Sequence, residues 1–566
     1  MNGFDSFGWR RRITAARGTG RSDTVLAGGR VLNVFTGELE EKTVAIAHGR
    51  IVNVGETGGA NEVIDCRGKI IAPSFVDPHI HTESSLLWMP EFARAVIPRG
   101  TGAVVTDPHE IANVAGLPGL EAMRSAAQGL PLHVRFTAPS CVPASPQESP
   151  GAELTAADIA EMLSWPEAVG LGELMNVAGS CSGDPVIGDK LRAAWGYRID
   201  GHAPHVTGRR LQTYLQSGVT SDHESTELAE AREKLASGLF IMIRQGTSAR
   251  NLEALLPLVD DRTYPRCAFC SDDRDCFTLL HDGHVDAIVR DAIEGGMDPI
   301  RAYRLATWNP ADYWRLDGIG AVAPGYEANL NILTDLESVT IDATLFQGKV
   351  VAYRGEMVVD LPASDPPAFL LDSMHVAPLD LASFRLDPDQ AKQAISVSDG
   401  QIVTDLQPAT PIVRDGEAVT DPGADLLKIA CIERYKASGR IGVGYIRGFG
   451  LKSGAIASSI AHDAHNLVVI GATDEDMLAV ARRVIEMHGG LATANDGRIV
   501  AELPLPIGGI ISDQSVATVS EQLEALEQSA NDLGSSLTSP FGLLAFMALS
   551  VIPKARVTDH GFITVR

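Results

Sequence analysis

The 566-residue sequence predicts an α/β protein: a (β/α)₈ TIM-like barrel flanked by a split small β-sandwich domain, followed by a C-terminal α+β domain. Two observations predict the barrel. Eight short apolar runs alternate with helical stretches, and most of these runs end in His, Asp or Glu. A third observation, the return of short strands with glycine turns after the last helix, predicts that the small β domain is completed there.

The first 22 residues contain consecutive arginines but no apolar stretch behind them, so they do not form a secretory signal. We expect residues 1–22 to be a disordered or loosely packed arm. Residues 23–72 alternate short strands with turns, and two hairpins are predicted, with turns at Gly28-Gly29 and His48-Gly49. Residues 316–360 show the same pattern and are predicted to complete this small β domain.

Residues 73–315 carry the predicted barrel. Its candidate strands are the run that ends at His79 and residues 102–106, 133–137, 168–172, 197–201, 219–221, 239–244 and 268–271. Helical stretches with capping residues lie between several of them. A doubly wound sheet shows the same alternation, and periodicity does not distinguish the two architectures.

A proline-rich stretch at residues 361–367 predicts a linker, after which residues 375–566 form the C-terminal domain. This length is usual for one domain. Residues 467–470 predict a strand, and residues 474–488 predict a helix closed by glycine.

Composition excludes several classes of partner. The formal net charge of −25 disfavours nucleic acid and membrane surfaces, because both select clustered Lys and Arg. No apolar run reaches the length of a membrane span. Seven Cys at irregular spacing argue against a disulfide framework, so we expect a cytoplasmic protein. We also expect a homo-oligomer, a dimer.

Metal-binding residue types follow successive predicted strands. His79 and His81 are two residues apart, so both imidazoles lie on one side of an extended chain. The other candidates at strand ends are Glu173, His202, His223 and Asp272. Four His and two carboxylates exceed the ligands of one tetrahedral ion and suit two bridged divalent ions. Asp107, His109 and Glu110 also follow a strand. Three interpretations are open: they support the metal ligands, they contact the substrate, or they form a simple turn.

Longer strings then give a resemblance. The order His-x-His, Glu, His, His, Asp is similar to the amidohydrolase superfamily, and within it the chain resembles the bacterial adenine deaminases from about residue 23 to its end. The strings that carry this resemblance are His81-Thr-Glu-Ser-Ser85, Val105-Thr-Asp-Pro-His-Glu-Ile-Ala-Asn-Val114, Gly172-Glu-Leu-Met-Asn176, Asp200-Gly-His-Ala-Pro204, Ser221-Asp-His-Glu224, Ser271-Asp-Asp-Arg274 and Ser459-Ile-Ala-His-Asp-Ala-His-Asn466.

The resemblance implies roles for these residues. His79, His81 and Asp272 would hold one metal, His202 and His223 the other, and Glu173 would bridge them where many relatives use a carboxylated Lys. Mn²⁺ or Fe²⁺ are the expected ions, with Zn²⁺ as a third candidate. A metal-activated hydroxide would attack C6 of adenine, giving hypoxanthine and ammonia in purine salvage.

The resemblance also implies acid–base and substrate groups. Asp272 would carry the proton from the attacking water to the leaving amine, with Glu173 as the other catalytic residue. Glu83, His109 and Glu110 are candidates for contacts with the purine ring. The alternatives are deamination of an N6-substituted adenine, hydrolysis of a cyclic amide, and a non-catalytic purine- or metal-binding protein. The cyclic-amide enzymes usually carry a carboxylated Lys, and no Lys lies near Glu173 in the sequence.

Overall fold

The computed structural model describes residues 5–552 and 554–565. Along the chain, strands of a first sheet precede a parallel barrel, further strands complete the first sheet, and a C-terminal sheet with its helices follows. This arrangement places the barrel between two segments of the first sheet and beneath the C-terminal domain.

The N-terminal segment contains helix α1 (Ser6–Ala16), which corrects the prediction of a disordered or loosely packed arm. Asp5 caps the helix and also pairs with His48, whose Nε2 lies 2.8 Å from the Asp5 Oδ2 atom. Ala15 is buried against the first sheet. Two features stabilise the helix: Asp5 caps its first turn, and Ala15 packs against the sheet.

The first sheet begins with one long strand, where the sequence predicts a hairpin. Its first strands are β1 (Ser22–Asn33), β2 (Glu38–Ala47), β3 (Arg50–Gly55), β4 (Ala60–Asp65) and β5 (Ile70–Pro73). β1 continues through Gly28-Gly29, so the first predicted hairpin is wrong. Gly28 has a φ of +75°, and the pairing with β2 shifts register there, which makes the glycines a bulge. The predicted turn at His48-Gly49 does join β2 to β3.

Eight parallel strands within the described residues form a closed barrel. They are β6 (Phe75–Ile80), β7 (Thr101–Thr106), β8 (His133–Ala138), β9 (Ala168–Leu174), β10 (Arg198–Gly201), β11 (Ser221–Asp222), β12 (Phe240–Arg244) and β13 (Cys267–Cys270). β6 to β10 pair in order, as do β11 to β13. Thr220 N–H donates to the Ile199 carbonyl at 2.9 Å, and His81 N–H donates to the Asp272 carbonyl at 3.1 Å. These bonds join the two sets at both edges, which confirms the barrel and excludes the open doubly wound sheet.

Helices surround the barrel, and side chains fill it. The helices of this region are α2 (Met89–Val96), α3 (His109–Ala126), α4 (Ala156–Leu163), α5 (Val177–Ser182), α6 (Pro185–Ala193), α7 (Gly208–Tyr214), α8 (Leu228–Ala236), α9 (Leu252–Leu255), α10 (Cys276–His281), α11 (Val285–Glu294), α12 (Pro299–Ala306) and α13 (Trp308–Tyr313). Val76, Val105 and Met242 pack together in the barrel interior. A filled interior leaves the carboxyl ends of the strands as the place for a polar site.

Four more strands complete the first sheet, counted over the described residues. They are β14 (Leu330–Leu333), β15 (Ile341–Phe346), β16 (Lys349–Tyr353) and β17 (Glu356–Met357). β14 pairs antiparallel with β5, with Leu330 opposite Pro73 and Leu333 opposite Ile70. Both segments therefore belong to one sheet, and the barrel is inserted between them.

Within the described residues, the C-terminal region forms an eight-stranded mixed sheet, two separate two-stranded sheets, and helices. Its strands are β18 (Gln393–Ser398), β19 (Gln401–Pro408), β20 (Ile412–Arg414), β21 (Glu417–Val419), β22 (Leu427–Ile432), β23 (Ile441–Arg447), β24 (Ala455–Ser458), β25 (Leu467–Gly471), β26 (Gly490–Asn495), β27 (Arg498–Pro504), β28 (Lys554–Thr558) and β29 (Gly561–Val565). Its helices are α14 (Asp474–Glu486), α15 (Val516–Asp532) and α16 (Pro540–Ala545). Met477, Val480 and Val484 of α14 are buried against the sheet.

The C-terminal region covers the barrel at the loops that follow β6 and β8. Ser512 N–H donates to the Leu86 carbonyl at 2.8 Å, and Ser149 Oγ donates to Asp559 Oδ2 at 2.6 Å. α15 packs against α2 and α10. Within the described part of the chain, no helix combines the length and the apolar composition needed to cross a membrane.

Candidate metal centre

The predicted metal-binding side chains meet at the carboxyl end of the barrel. They lie on or directly after β6, β9, β10, β11 and β13, and they are His79, His81, Glu173, His202, His223 and Asp272. Ligand atoms of three subsets lie within 4.8 Å of one another: His79, His81 and Glu173; His79, His223 and Asp272; Glu173, His202 and His223. The parallel order of the strands explains the convergence, because carboxyl ends of a barrel share one face.

His79 and His81 direct one ring nitrogen away from the centre and the other into it. His79 Nδ1 lies 2.8 Å from Asp200 Oδ2, and His81 Nδ1 lies 2.8 Å from the Asp107 carbonyl oxygen. The carbonyl oxygen accepts the Nδ1 proton of His81, which leaves a lone pair on Nε2, and the carboxylate beside His79 Nδ1 favours the same tautomer. Both Nε2 atoms face Asp272, at 3.4 Å and 3.1 Å from its Oδ1 atom. Metal-binding imidazoles have this arrangement.

Glu173 lies between two groups of imidazoles. Its Oε1 atom is 3.3 Å from His81 Nε2, while its Oε2 atom is 2.5 Å from His202 Nδ1 and 3.2 Å from His223 Nε2. Burial by itself would raise the pKa of Glu173, but the adjacent His202 and the other imidazoles hold it well below its usual range. An ionised carboxylate therefore presents one oxygen to each group.

Asp272 is held by a cation on the side opposite the histidines. Arg244 Nη1 donates to Asp272 Oδ2 at 2.8 Å and also pairs with Glu224. Burial would raise the pKa of Asp272, but Arg244 and the histidines hold it well below its usual range. The backbone of Asp272 has a φ of +57°, in the left-handed region that residues other than glycine rarely adopt. This conformation directs the carboxylate toward the centre.

The donor set fits divalent metal ions. Among the described residues, the buried Nε2 atom of His79 has no hydrogen-bond partner, although it faces the centre. Imidazole nitrogens with free lone pairs and ionised carboxylates are ligands of Zn²⁺, Mn²⁺ and Fe²⁺. A buried nitrogen without a partner is unfavourable unless an ion or another donor satisfies it.

The predicted substrate-binding residues lie beside this centre. His109 Nδ1 is 3.3 Å from Glu173 Oε1. Glu83 is buried and accepts a hydrogen bond from Ile111 N–H at 3.2 Å. Both oxygens of Glu110 are occupied by His462 and His465 of the C-terminal domain, so Glu110 is engaged between domains instead of facing open space.

Several residues of the site were not singled out from sequence. Asp200 orients His79, and Arg244 holds Asp272. Arg244 ends strand β12, so its position at a strand end was a usable signal. His462 and His465 lie in one of the strings that carry the family resemblance, but no sequence signal places them beside Glu110, more than 350 residues away.

Comparisons with known proteins identify the family of this chain. Residues 70–351 match the model described as Amidohydrolase family, and residues 401–566 match the model described as Adenine deaminase C-terminal domain. An adenine deaminase of Dehalococcoides mccartyi is 45% identical, with 98% of this chain and 97% of that protein covered. Those of Methanothrix thermoacetophila and Kosmotoga olearia are 41% and 40% identical, each covering 98% of this chain and 97% and 96% of the relative. The chain belongs to the adenine deaminase family of the amidohydrolases.

Proposed function

We propose that this chain hydrolyses adenine to hypoxanthine and ammonia. The observation that carries the proposal is the unmodified carboxylate of Glu173, whose two oxygens face two groups of imidazoles. Relatives named adenine deaminase, 40% to 45% identical over nearly the full chain, support the same reaction. The cyclic-amide alternative is disfavoured because a carboxylate already occupies the position between the two groups.

Two divalent transition metal ions are part of the proposal, with Mn²⁺ or Fe²⁺ favoured and Zn²⁺ as a third candidate. One ion would be held by His79, His81 and Asp272, the other by His202 and His223, with Glu173 shared between them. When bound, such ions act as Lewis acids that lower the pKa of a water molecule held at the site.

Asp272 is the proposed proton carrier. Its carboxylate accepts a proton from the attacking water and delivers it to the amino group that leaves C6. Arg244 keeps this carboxylate ionised, so it acts as a base at neutral pH. Groups in this role contribute about 10²- to 10⁴-fold to the rate.

Glu83 and His109 are the proposed contacts to the purine ring. Burial raises the pKa of Glu83 to about 7, so this carboxyl group carries a proton for much of the time near neutral pH. A protonated carboxyl donates a hydrogen bond to a ring nitrogen. His109 presents its Nδ1 atom to the same centre.

For the whole molecule, we propose a cytoplasmic homodimer that acts in purine salvage. Residues 73–315 carry the reaction, and residues 375–566 cover the carboxyl end of the barrel.

Ammonia release from a panel of substrates tests the proposal. The panel contains adenine, N6-substituted adenines, adenosine, a hydantoin and a dihydropyrimidine, with metal content measured on the same sample. We expect the highest kcat/KM with adenine and two metal equivalents per chain. Turnover of a cyclic amide without turnover of any aminopurine would contradict the proposal.

A further inference from the structure

A polar cluster joins the barrel to the C-terminal domain beside the metal centre. His109 and Glu110 begin helix α3, directly after strand β7. His462 and His465 lie in the loop between β24 and β25. Glu110 and His465 are 2% and 1% exposed, so these contacts are made away from bulk water.

The cluster has the residue types of a third metal site, but the hydrogen bonds of His465 oppose that assignment. His465 Nδ1 accepts a hydrogen bond from Ala461 N–H at 3.2 Å. A neutral His465 therefore carries its proton on Nε2, the atom that faces Glu110. A metal ligand needs a lone pair at that atom, as His79 and His81 have. His465 instead donates to Glu110.

Glu110 accepts from both C-terminal histidines. His462 Nδ1 donates to Oε1, and His465 Nε2 donates to Oε2. Burial would raise the pKa of Glu110, but His462 and His465 hold it well below its usual range. The His462 ring also stacks on Phe546, with ring centroids 4.8 Å apart. The C-terminal domain thus fixes both the charge and the orientation of this carboxylate.

His109 connects Glu110 to the metal centre. Its Nε2 atom lies 3.4 Å from Glu110 Oε1 and 3.8 Å from Asp463 Oδ1, while its Nδ1 atom lies 3.3 Å from Glu173 Oε1. Because Glu110 contacts one ring nitrogen and Glu173 contacts the other, the position of Glu110 bears on the orientation of the imidazole. Nδ1 faces the centre and has no hydrogen-bond partner among the described residues.

We propose that His462 and His465 are positioning residues that act through Glu110 to orient the imidazole of His109 toward the substrate. This inference rests on the proposed deamination and extends the machinery of that reaction into the C-terminal domain. Partners that orient a functional imidazole are typically worth 10- to 100-fold in activity or metal affinity.

Matched substitutions at His462 test the inference. We expect His462→Leu to lower kcat/KM for adenine 10- to 100-fold, with two metals retained. His462→Asn should stay within threefold of the wild type, because its amide nitrogen replaces Nδ1 as the donor to Glu110. His375→Leu is the matched control, since His375 is exposed in the same domain. Equal losses in the Leu and Asn variants, or losses that follow thermal stability, would indicate a structural role and overturn the proposal.

Double-mutant cycles distinguish action through His109 from a general weakening. In a His109→Asn background, His462→Leu should cost less than threefold, because no imidazole is left to orient. A second cycle, with Glu110→Gln, should also be non-additive, and it replaces the first cycle if the His109 variant is too slow to assay. If His462→Leu folds poorly, His462→Gln is used instead. Multiplicative losses contradict the positioning role. A wild type that does not deaminate adenine contradicts the proposed function instead.

Discussion

Asp272 lies between the Nε2 atoms of His79 and His81 on one side and the Arg244 guanidinium on the other. A metal ligand needs only to face the same centre as the two histidines. The contact with Arg244 keeps the carboxylate ionised and fixes which oxygen faces the centre. Asp272 is therefore suited both to hold an ion and to move a proton.

Asp272→Asn separates these two roles. The amide keeps one oxygen for the metal, while its NH2 group replaces the oxygen that faces Arg244 and cannot accept a proton. We expect an intact fold, most of the bound metal, and a loss of kcat of at least about 10²-fold. Metal analysis and adenine turnover on one preparation check this. Near-normal turnover by the metal-loaded variant would rule out the proton-carrier role.

At the scale of residues, the sequence predicted the candidate ligands that follow strands. It did not predict the residues that orient those ligands. His79, His81 and Asp272 were found because alternation and strand ends are visible in the sequence. Asp200 was missed because it lies inside a strand, where a carboxylate has no distinctive spacing. Its contact with His79 depends on the closure of the barrel.

At the scale of elements, the local sequence pattern predicted the barrel strands. It failed for elements whose structure depends on a tertiary contact. A Gly-Gly pair within an alternating run favours a hairpin turn, yet β2 pairs with β1 on both sides of this pair, which makes the glycines a bulge. Helix α1 was missed because its exposed, arginine-rich surface lacks an apolar stripe. Contacts of Asp5 and Ala15 with the first sheet stabilise it.

Helix α15 carries a carboxyl group whose titration affects stability. Ser539 Oγ donates to Glu527 Oε1 at 2.9 Å, while Oε2 is buried without a partner among the described residues. Burial raises the pKa of Glu527 to about 7, above its value in the unfolded chain. The resulting stability is present below about pH 4.5 and is lost as the pH rises through about 7.

Glu527→Gln should therefore stabilise the protein at alkaline pH. We expect the free energy of unfolding at pH 8.5 to rise by up to about 3 kcal/mol relative to the wild type, with a smaller difference at pH 5.5. Denaturant unfolding at the two pH values measures this. A difference that does not change with pH would show that Glu527 titrates normally in the folded protein.

At the scale of the whole molecule, the C-terminal domain contacts the barrel beside the candidate metal centre. The contacts of His462 and His465 with Glu110 span more than 350 residues of sequence. Neither periodicity nor local spacing predicts a contact of that range, so the sequence located this cluster only as a motif of unassigned role.

Removal of the C-terminal domain should abolish activity. A chain that ends at residue 365 loses the donors to Glu110 and exposes the apolar surfaces that α15 covers on α2 and α10. We expect aggregation, or an adenine turnover reduced by at least about 10²-fold. Size-exclusion chromatography with an ammonia assay checks both. A monodisperse, fully active barrel would contradict this account of the domain.

The metal content and the adenine turnover of Glu173→Gln test whether one carboxylate is shared by two metal ions. A neutral amide is a poor bridge between two cations. We expect the variant to bind fewer than two metal equivalents per chain and to show no measurable turnover. The wild type, freed of metal and then reconstituted, should recover two metal equivalents and its turnover without added bicarbonate. Two retained equivalents with adenine turnover would contradict the bridging role of Glu173.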